Sequence, residues 1–394
     1  MNQDQKKADK ICLLHLVDGL KSGGAEILIT HLIKALGTKH YKHYVYYFAD
    51  DGPVREKLEA FGIPVYKGKE RASIKQPIRF LATLFIQMQD LISLIRRKRI
   101  QVMQAHMNPA NQLAVAVGRI SRTPVFPTVH TPAAFVDNRS FWDLRVYFKK
   151  AVNHVIYRAA DRVLVVSQEI KEIIQQRFGL KDDKLLFLKN GIVFDDNAPR
   201  LLDLQTEFPD SANKLKLIAV GRLVALKSFD ILVRAIGEVV NQGLTDLLVL
   251  IAGKGEERMQ LEKLIQDLQI GDCVKLLGLR DDVMDLMKTC DLFVTPSRYE
   301  GLSLAMIEAM ACGLPIIASD ARGLKDCITN EQNGLLFPVD DYKALAERIL
   351  RLANDKELRD RLSLGARSSF ETEYDMRKNV KPLDMLFRQY AAIR

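Results

Sequence analysis

Eleven short apolar runs recur along this chain with longer amphipathic stretches between them, and no other feature narrows the possible folds as far. In the first half they fall at residues 11–17, 44–48, 102–104, 125–129 and 162–166. In the second they fall at 215–220, 247–251, 274–276, 292–295, 316–318 and 334–337. Most are continuous rather than alternating. A strand that is apolar on both faces has to be covered on both, as in a parallel sheet between two layers of helices. The intervening stretches supply those helices. Residues 228–240 put Ile231, Leu232, Ala235, Ile236 and Val239 on one helical face,. Residues 25–36 open a helix directly after a glycine pair. Strand and helix alternate in this way twice, which is the α/β class with the α/β unit repeated in two domains.

With 394 residues the chain has room for two such domains,. The break between the two series is rich in proline, asparagine and aspartate and has weak periodicity, so it reads as a linker,. The expected division is 1–195, a linker at 196–213, a second domain at 214–374 and a terminal helix at 375–394. Open parallel sheets take ligands outside the carboxyl ends of their strands, so two of them facing across a cleft can hold a nucleotide on one side and its reaction partner on the other.

Charge is divided unevenly. Residues 1–195 hold 31 Lys and Arg against 18 Asp and Glu, a net of +13, whereas the remainder nets −4. The first half is therefore expected to meet something anionic: nucleic acid, a membrane face or a phosphorylated substrate. No regular basic stripe with interleaved aromatics supports nucleic acid. Cys12, Cys273, Cys290, Cys312 and Cys327 form no CxxC pair or zinc spacing and are expected as buried free thiols, which suits a reducing cytoplasm,. The N-terminus shows no signal-peptide pattern, and the longest apolar stretch, 80–95, is interrupted by Gln87, Gln89 and Asp90, so no membrane span is expected,.

The strongest chemical signal is SRYEGLSLAMIEAMACGLP at 297–315, directly after the strand at 292–295. Glu300 and Gly301 make a turn, and a helix over 302–311 carries Glu308. Eight steps of about 100° place the two glutamates about 80° apart around that helix, two turns distant. The helix mouth at Leu302, Ser303, Leu304 and Ala305 offers free N–H groups that suit a diphosphate. Glu300 can accept sugar hydroxyls and Glu308 a ribose. The competing reading is a cap and a solvated carboxylate, but Glu308 is flanked by Ala305, Met306, Ile307, Ala309 and Met310, where an unsatisfied carboxylate is costly,. The second signal is Gly221-Arg222 with Lys227 after the strand at 215–220. A planar fork and a point charge suit a pyrophosphate and stabilise it most when it leaves; the alternative is ordinary surface charge.

Weaker signals follow. Gly23-Gly24 opens the first helix, where backbone can approach a phosphate. Gly253-Lys254-Gly255 is a turn that could be purely structural. His106 and His130 end strands at the carboxyl edge of the first sheet; a lone histidine is more often a satisfied core residue than a catalyst. The nearest metal-like cluster, Asp281, Asp282 and Asp285, begins a helix, so capping is the expected role.

Glu300-x7-Glu308, Gly221-Arg222 with Lys227, and Gly23-Gly24-Ala25-Glu26, in that order, resemble the retaining glycosyltransferases usually called GT4, of GT-B fold. The resemblance spans residues 11–370. It implies two Rossmann-like domains, no obligatory metal or other cofactor, and a nucleotide-sugar donor with UDP as the default. It implies that Arg222 and Lys227 hold the diphosphate, Glu300 the sugar and Glu308 the ribose, with Gly278 and Arg280 in the base loop and Gly301 to Ala305 around the phosphates. The match of Val129-His130-Thr131 implies His130 at the active site, toward a glycan or lipid-linked acceptor; His106, which that match does not cover, is a second candidate on the acceptor side because it ends its strand in the same way. The terminal helix would cross back onto the first domain. Attack from the front face, the leaving phosphate oxygen taking the acceptor's proton, would retain configuration. Where relatives have small residues and Pro-Glu, this chain has Ala321 to Asp326 with Arg322 and Lys325, which points to an acidic or unusual donor sugar. The cations of 96–99 and the aromatics and cations of 141–150 suit an anionic membrane face as a peripheral partner, and the alternative for 96–99 is a core-facing helix whose cationic end meets the macrodipole,. The rivals are a sugar-nucleotide epimerase of the same architecture and a basic nucleic-acid-binding protein.

Overall fold

The computed structural model describes residues 10–21, 23–70, 76–130, 144–196 and 204–393. Thr131 and residues 141–143 lie outside them, as do the side chains of 144–150. The chain forms two compact units, Met1–Val193 with Met376–Arg394, and Phe194–Asp375.

The first unit runs β1 (Ile11–Val17), α1 (Gly24–Leu36), β2 (Tyr41–Tyr47), α2 (Pro53–Ala60), β3 (Val65–Lys67), α3 (Pro77–Lys98), β4 (Val102–His106), α4 (Asn108–Ser121), β5 (Val125–Val129), α5 (Leu144–Ala159), β6 (Val163–Val165), α6 (Gln168–Phe178) and β7 (Leu185–Phe187). Its sheet has the order β3-β2-β1-β4-β5-β6-β7 and every pairing is parallel. Alternate side chains of β1 enter different cores. Leu14 and Leu16 pack with residues of α3 and α4, and Val17 packs with Ile29, Ile33 and Leu58 of α1 and α2. Both faces are therefore covered, which is why the strands read as continuous apolar runs. The two strands that sequence pattern did not indicate, β3 and β7, have three residues each and lie at the two edges of the sheet.

The second unit runs α7 (Leu204–Glu207), β8 (Leu215–Val220), α8 (Phe229–Asn241), β9 (Leu247–Ala252), α9 (Arg258–Asp267), β10 (Val274–Gly278), α10 (Val283–Thr289), β11 (Leu292–Thr295), α11 (Leu304–Ala311), β12 (Ile316–Ser319), β13 (Leu335–Phe337), α12 (Tyr342–Asn354) and α13 (Lys356–Ser369). Its sheet order, β10-β9-β8-β11-β12-β13, is the same winding as in the first unit, again all parallel. The apolar stripe of α8 enters the main core, with Leu232, Ala235, Ile236 and Val239 fully buried. The stretch expected as a linker contains α7, and Arg280 binds its Glu207 through two hydrogen bonds of 2.8 and 3.1 Å.

The terminal α14 (Met376–Asn379) and α15 (Lys381–Ala392) belong to the first unit. The Tyr41 hydroxyl donates to Asp384 Oδ1 at 2.5 Å, and Phe126 packs 5.4 Å from Phe387. All five cysteines are free, as expected; Cys273 and Cys290 are buried, but Cys12, Cys312 and Cys327 are only half-buried.

Candidate active site

In each sheet the winding reverses between the first and fourth strands, β1/β4 and β8/β11. Chains leaving adjacent strands toward opposite sides open a crevice at the carboxyl ends, where ligands of such sheets bind. The residues singled out in the sequence follow these strand ends.

In the second unit the crevice floor is a row of glycines. Gly221, Gly253 and Gly278 end or follow the adjacent strands β8, β9 and β10. Gly221 N donates to Ala252 O at 3.0 Å, and Gly253 N donates to Gly278 O at 2.7 Å. A Cβ on Gly253 would collide with the Gly221 carbonyl, and one on Gly255 with the Leu223 carbonyl. Gly253 also has φ +152°, in a region side chains avoid,. The glycines of Gly253-Lys254-Gly255 thus let this turn lie directly on the backbone that carries Arg222. Arg222 itself is exposed, with no ion-pair partner among the described residues.

Lys227 ends a 3-10 turn, Ala225–Lys227, and its ammonium bonds directly to Glu300 Oε1. The same oxygen accepts from Ser297 Oγ at 3.1 Å, and Ser297 O accepts from Ser319 Oγ at 2.5 Å. Residues from β8's end, β11's end and β12 are therefore tied at one point. Sequence reasoning named Lys227 and Glu300 but missed the residue that clamps them. Arg298 N donates to Leu226 O at 2.9 Å, its Nη1 donates to Ala225 O at 2.5 Å, and its Nε lies 2.8 Å from Asp340. It joins the turn of Lys227 to the loop of Glu300. Arg298 was visible within the motif, but its anchor Asp340 lies 42 residues away and gave no local signal. Gly323 was also missed as a site element. Its φ is +86° and a Cβ there would collide with the Glu300 carbonyl, while Glu300 N donates to Arg322 O at 3.2 Å. The departing segment Ala321 to Asp326 is thus packed on the Glu300–Gly301 turn, with Arg322 and Lys325 exposed.

The expected helix start at 302 is corrected: α11 begins at Leu304, and Leu302 precedes it. Ser303 is the N-cap and its Oγ accepts from Met306 N, because a cap satisfies the third amide of the first turn,. That leaves the Leu304 and Ala305 amides to face a ligand. Glu308 lies half-buried one turn further, between the buried Ile307 and Ala309.

Gly278 has φ +73° and turns the chain out of β10. Arg280 follows and is held by Glu207 and by Asp282, to which it donates at 2.8 and 2.7 Å. Asp282 does stand at the N-cap of α10, yet its side chain makes no cap bond; the expected capping role is replaced by this pairing, which also holds its carboxyl below the usual range. Asp285 instead lies 3.6 Å from Lys288. Among the described residues no cluster of three or more metal-ligating side chains exists.

In the first unit, Gly23 is the N-cap of α1 and Gly24 its first residue. The Glu26 carboxylate folds back over Gly23, and burial there pushes its pKa up. At the neighbouring strand end, Asp18 Oδ1 accepts from Ala110 N at 2.8 Å, fixing the start of α4. His106 and His130 meet: Nδ1 and Nε2 lie 3.0 Å apart and the rings stack at 5.3 Å. A second pair, His15 and His43, is joined at 3.1 Å on the same face of the sheet, with His15 6.3 Å from His106. His43 Nε2 meets the Gly37 carbonyl at 3.0 Å, so that nitrogen carries a proton,. Burial pushes the His130 pKa down to about 4 and holds His15 and His106 well below the ordinary value, so all three are neutral at pH 7. Sequence reading missed His15 and His43 because cross-strand adjacency depends on register.

The comparisons with known proteins agree with this architecture. The chain matches the family model of glycosyltransferase family 4 over residues 22–196 and that of glycosyl transferases group 1 over 205–369. It is 27% identical over 314 residues to the UDP-Gal:alpha-D-GlcNAc-diphosphoundecaprenol alpha-1,3-galactosyltransferase of Escherichia coli, covering 77% of this chain and 80% of that one. It is 26% identical over 349 residues to the N-acetylgalactosamine-N,N'-diacetylbacillosaminyl-diphospho-undecaprenol 4-alpha-N-acetylgalactosaminyltransferase of Campylobacter jejuni, covering 86% and 89%. Among solved structures, Anabaena HepE in complex with UDP superposes with a TM-score of 0.77 at 21% identity, covering 96% of this chain and all of that one. With a family model on each half and the same winding in both sheets, the chain belongs to the group 1 (GT4-type) glycosyltransferases of GT-B fold.

Proposed function

We propose that this glycosyltransferase moves a sugar from a UDP-sugar to a lipid-linked acceptor, with retention of configuration and without a metal. The observation that carries the reading is the Lys227–Glu300 contact at the β8/β11 switch point, in the turn that leads into α11. Lys227 and Arg222 neutralise the diphosphate, most strongly as the bond to the sugar breaks and charge gathers on the leaving oxygen. In the free enzyme Lys227 is neutralised by Glu300; with donor bound it turns to phosphate, and Glu300 accepts sugar hydroxyls. Gly301, Leu302 and Ser303 form the loop over the phosphates, and Glu308 accepts the ribose hydroxyls. The base lies at Gly278 and Arg280, where Arg280, fully engaged by Glu207 and Asp282, shapes the loop rather than reaching for the base. At strand spacings of about 4.8 Å, β10 lies roughly 14 Å from β11, a separation that suits a nucleotide laid across the strand ends.

In the same reading the Gly23-Gly24 backbone is a further contact for the donor's phosphates, and His130, supported by His106, meets the acceptor,. His130 is neutral at working pH and holds the attacking hydroxyl by donating its ring N–H to the hydroxyl oxygen, which leaves the hydroxyl proton free to move,. The hydroxyl oxygen bonds to the anomeric carbon on the face the phosphate leaves, and its proton passes to the departing phosphate oxygen. The acceptor class follows the two relatives whose names specify a diphosphoundecaprenol-linked substrate. The site faces the cytoplasm in this reading, where UDP-sugars are made.

The test is transfer from a panel of UDP-sugars to a polyprenyl-diphosphate sugar, with the new linkage assigned by NMR. An α-linked product from an α-donor, formed equally with chelator present, is expected. An inverted linkage or a requirement for divalent metal would refute the corresponding part. Isomerisation of the UDP-sugar without acceptor would replace the reading with an epimerase. A uronate donor preferred over neutral sugars would give Arg322 and Lys325 their role in donor choice.

A further inference from the structure

The helix α3 is apolar on two sides. Its inner side, with Leu91, Leu94 and Ile95, is buried in the first unit's core, and Gln87 is satisfied there by donating to Lys69 O at 2.7 Å. By length and composition residues 78–98 could cross a bilayer, which the reading of 80–95 did not anticipate, but this burial fixes one face against protein. The outer side of its first turns is also apolar: Ile78 is 83% exposed, Leu81 63% and Phe85 62%. At about 100° per residue these three fall within about 60° of one another, and Arg96 lies on the same line. Arg96, Arg97 and Arg99 are exposed, and none has an ion-pair partner among the described residues. The only acidic residue in α3 is Asp90. The macrodipole accounts for cations at the end of a helix, but not for an exposed apolar stripe leading to them.

We propose that the outer face of α3 docks on an anionic lipid bilayer, with Ile78, Leu81 and Phe85 entering the acyl boundary and Arg96, Arg97 and Arg99 meeting headgroup phosphates. From 78 to 97 the helix is about 28 Å long, and with its inner face held by protein it lies in the plane of the interface. The stripe provides depth of insertion, and the arginines provide selectivity for anionic lipid. A second copy of this chain fits the surface less well, because it would bring its own unpaired arginines. The inference rests on the reading of a lipid-linked acceptor, which it places beside the surface where such an acceptor resides.

The full chain is floated with phosphatidylcholine vesicles and with vesicles containing phosphatidylglycerol, at low and high salt. Binding is expected only with phosphatidylglycerol and weaker at high salt. It should be lost in Leu81→Ser/Phe85→Ser and weakened about tenfold or more in Arg96→Gln/Arg97→Gln. These side chains are exposed, so Tm should not change, and transfer to a short-chain, water-soluble acceptor should be retained. No flotation of the unmodified protein at low salt overturns the docking, as does equal flotation of the variants. A dimer that dissolves in the Phe85 variant, without vesicle binding, gives the surface to a second copy and overturns it too. Failure to float with transfer intact sinks only the docking; flotation without transfer to any acceptor sinks only the proposed function.

Discussion

Replacing Lys227 by Met separates the structural use of one cation from its proposed catalytic use. The stem volume is kept and the ammonium lost, leaving the Glu300 carboxylate with Ser297 Oγ. The pair is largely enclosed, with side-chain exposures of 19% for Lys227 and 12% for Glu300. Breaking a fully buried pair costs 3–5 kcal/mol, and an exposed pair is worth at most about 1 kcal/mol; partial solvation places this one between, at about 2 kcal/mol. For a unit of this size that corresponds to a Tm lower by roughly 4–8 °C. Lys227→Met/Glu300→Gln removes the orphaned charge and should recover most of the loss, which a double-mutant cycle in thermal unfolding measures. Catalysis should not recover. In the proposed mechanism Lys227 is aimed at the leaving diphosphate, so its loss should lower kcat about 100- to 1000-fold in both variants. A Lys227→Met enzyme with unchanged kcat, or a double variant no more stable than the single, would refute the argument.

Gly253→Ala should destabilise the second unit by about 2 kcal/mol or more, since φ +152° is closed to alanine and its Cβ would strike the Gly221 carbonyl,; urea unfolding measures this, and UDP affinity should fall with it as the Arg222 backbone shifts. Arg298→Lys keeps the charge but not the fork joining Ala225 to Asp340, so KM for the donor should rise roughly tenfold with circular dichroism unchanged,. An Arg298→Lys enzyme with native KM would remove its positioning role. His31 is buried and accepts from Val193 N at 3.1 Å; burial, then Lys34 and Lys57, lower its pKa from 6.5 to about 4. The unfolded state therefore binds the proton more tightly, and the contribution of His31, full above pH 6.5, is lost as pH falls toward 4, by at most about 3 kcal/mol. Urea titrations across that range should show a shallower slope for His31→Gln.

Much of the fold was legible because its signals are local. A strand covered on both faces must be a continuous apolar run, and a helix lying on a sheet must show an apolar stripe, so β1, β5, β8 and β11 could be bounded from sequence alone. The three-residue edge strands β3 and β7 were not, since so short a run shows no period of its own, although β13, an edge strand of the same length, was. Within the site, the motif from Ser297 to Pro315 named Glu300 and Glu308, but the start of α11 was placed two residues early because the capping role of Ser303 is a matter of backbone geometry. Asp282 was expected to cap its helix, and a stronger partner, Arg280, took its carboxylate.

The amino-acid order by itself determined the repeated α/β alternation, the strand ends at which chemistry can occur, and the residue types suited to a nucleotide diphosphate. Only the folded chain decided which of them touch. Lys227 finds Glu300 across 73 residues, Arg298 finds Asp340 across 42, and four histidines line up over four strands. Those meetings depend on strand order and register, which sum interactions over the whole sheet, whereas propensity and periodicity act only over a turn or two of chain.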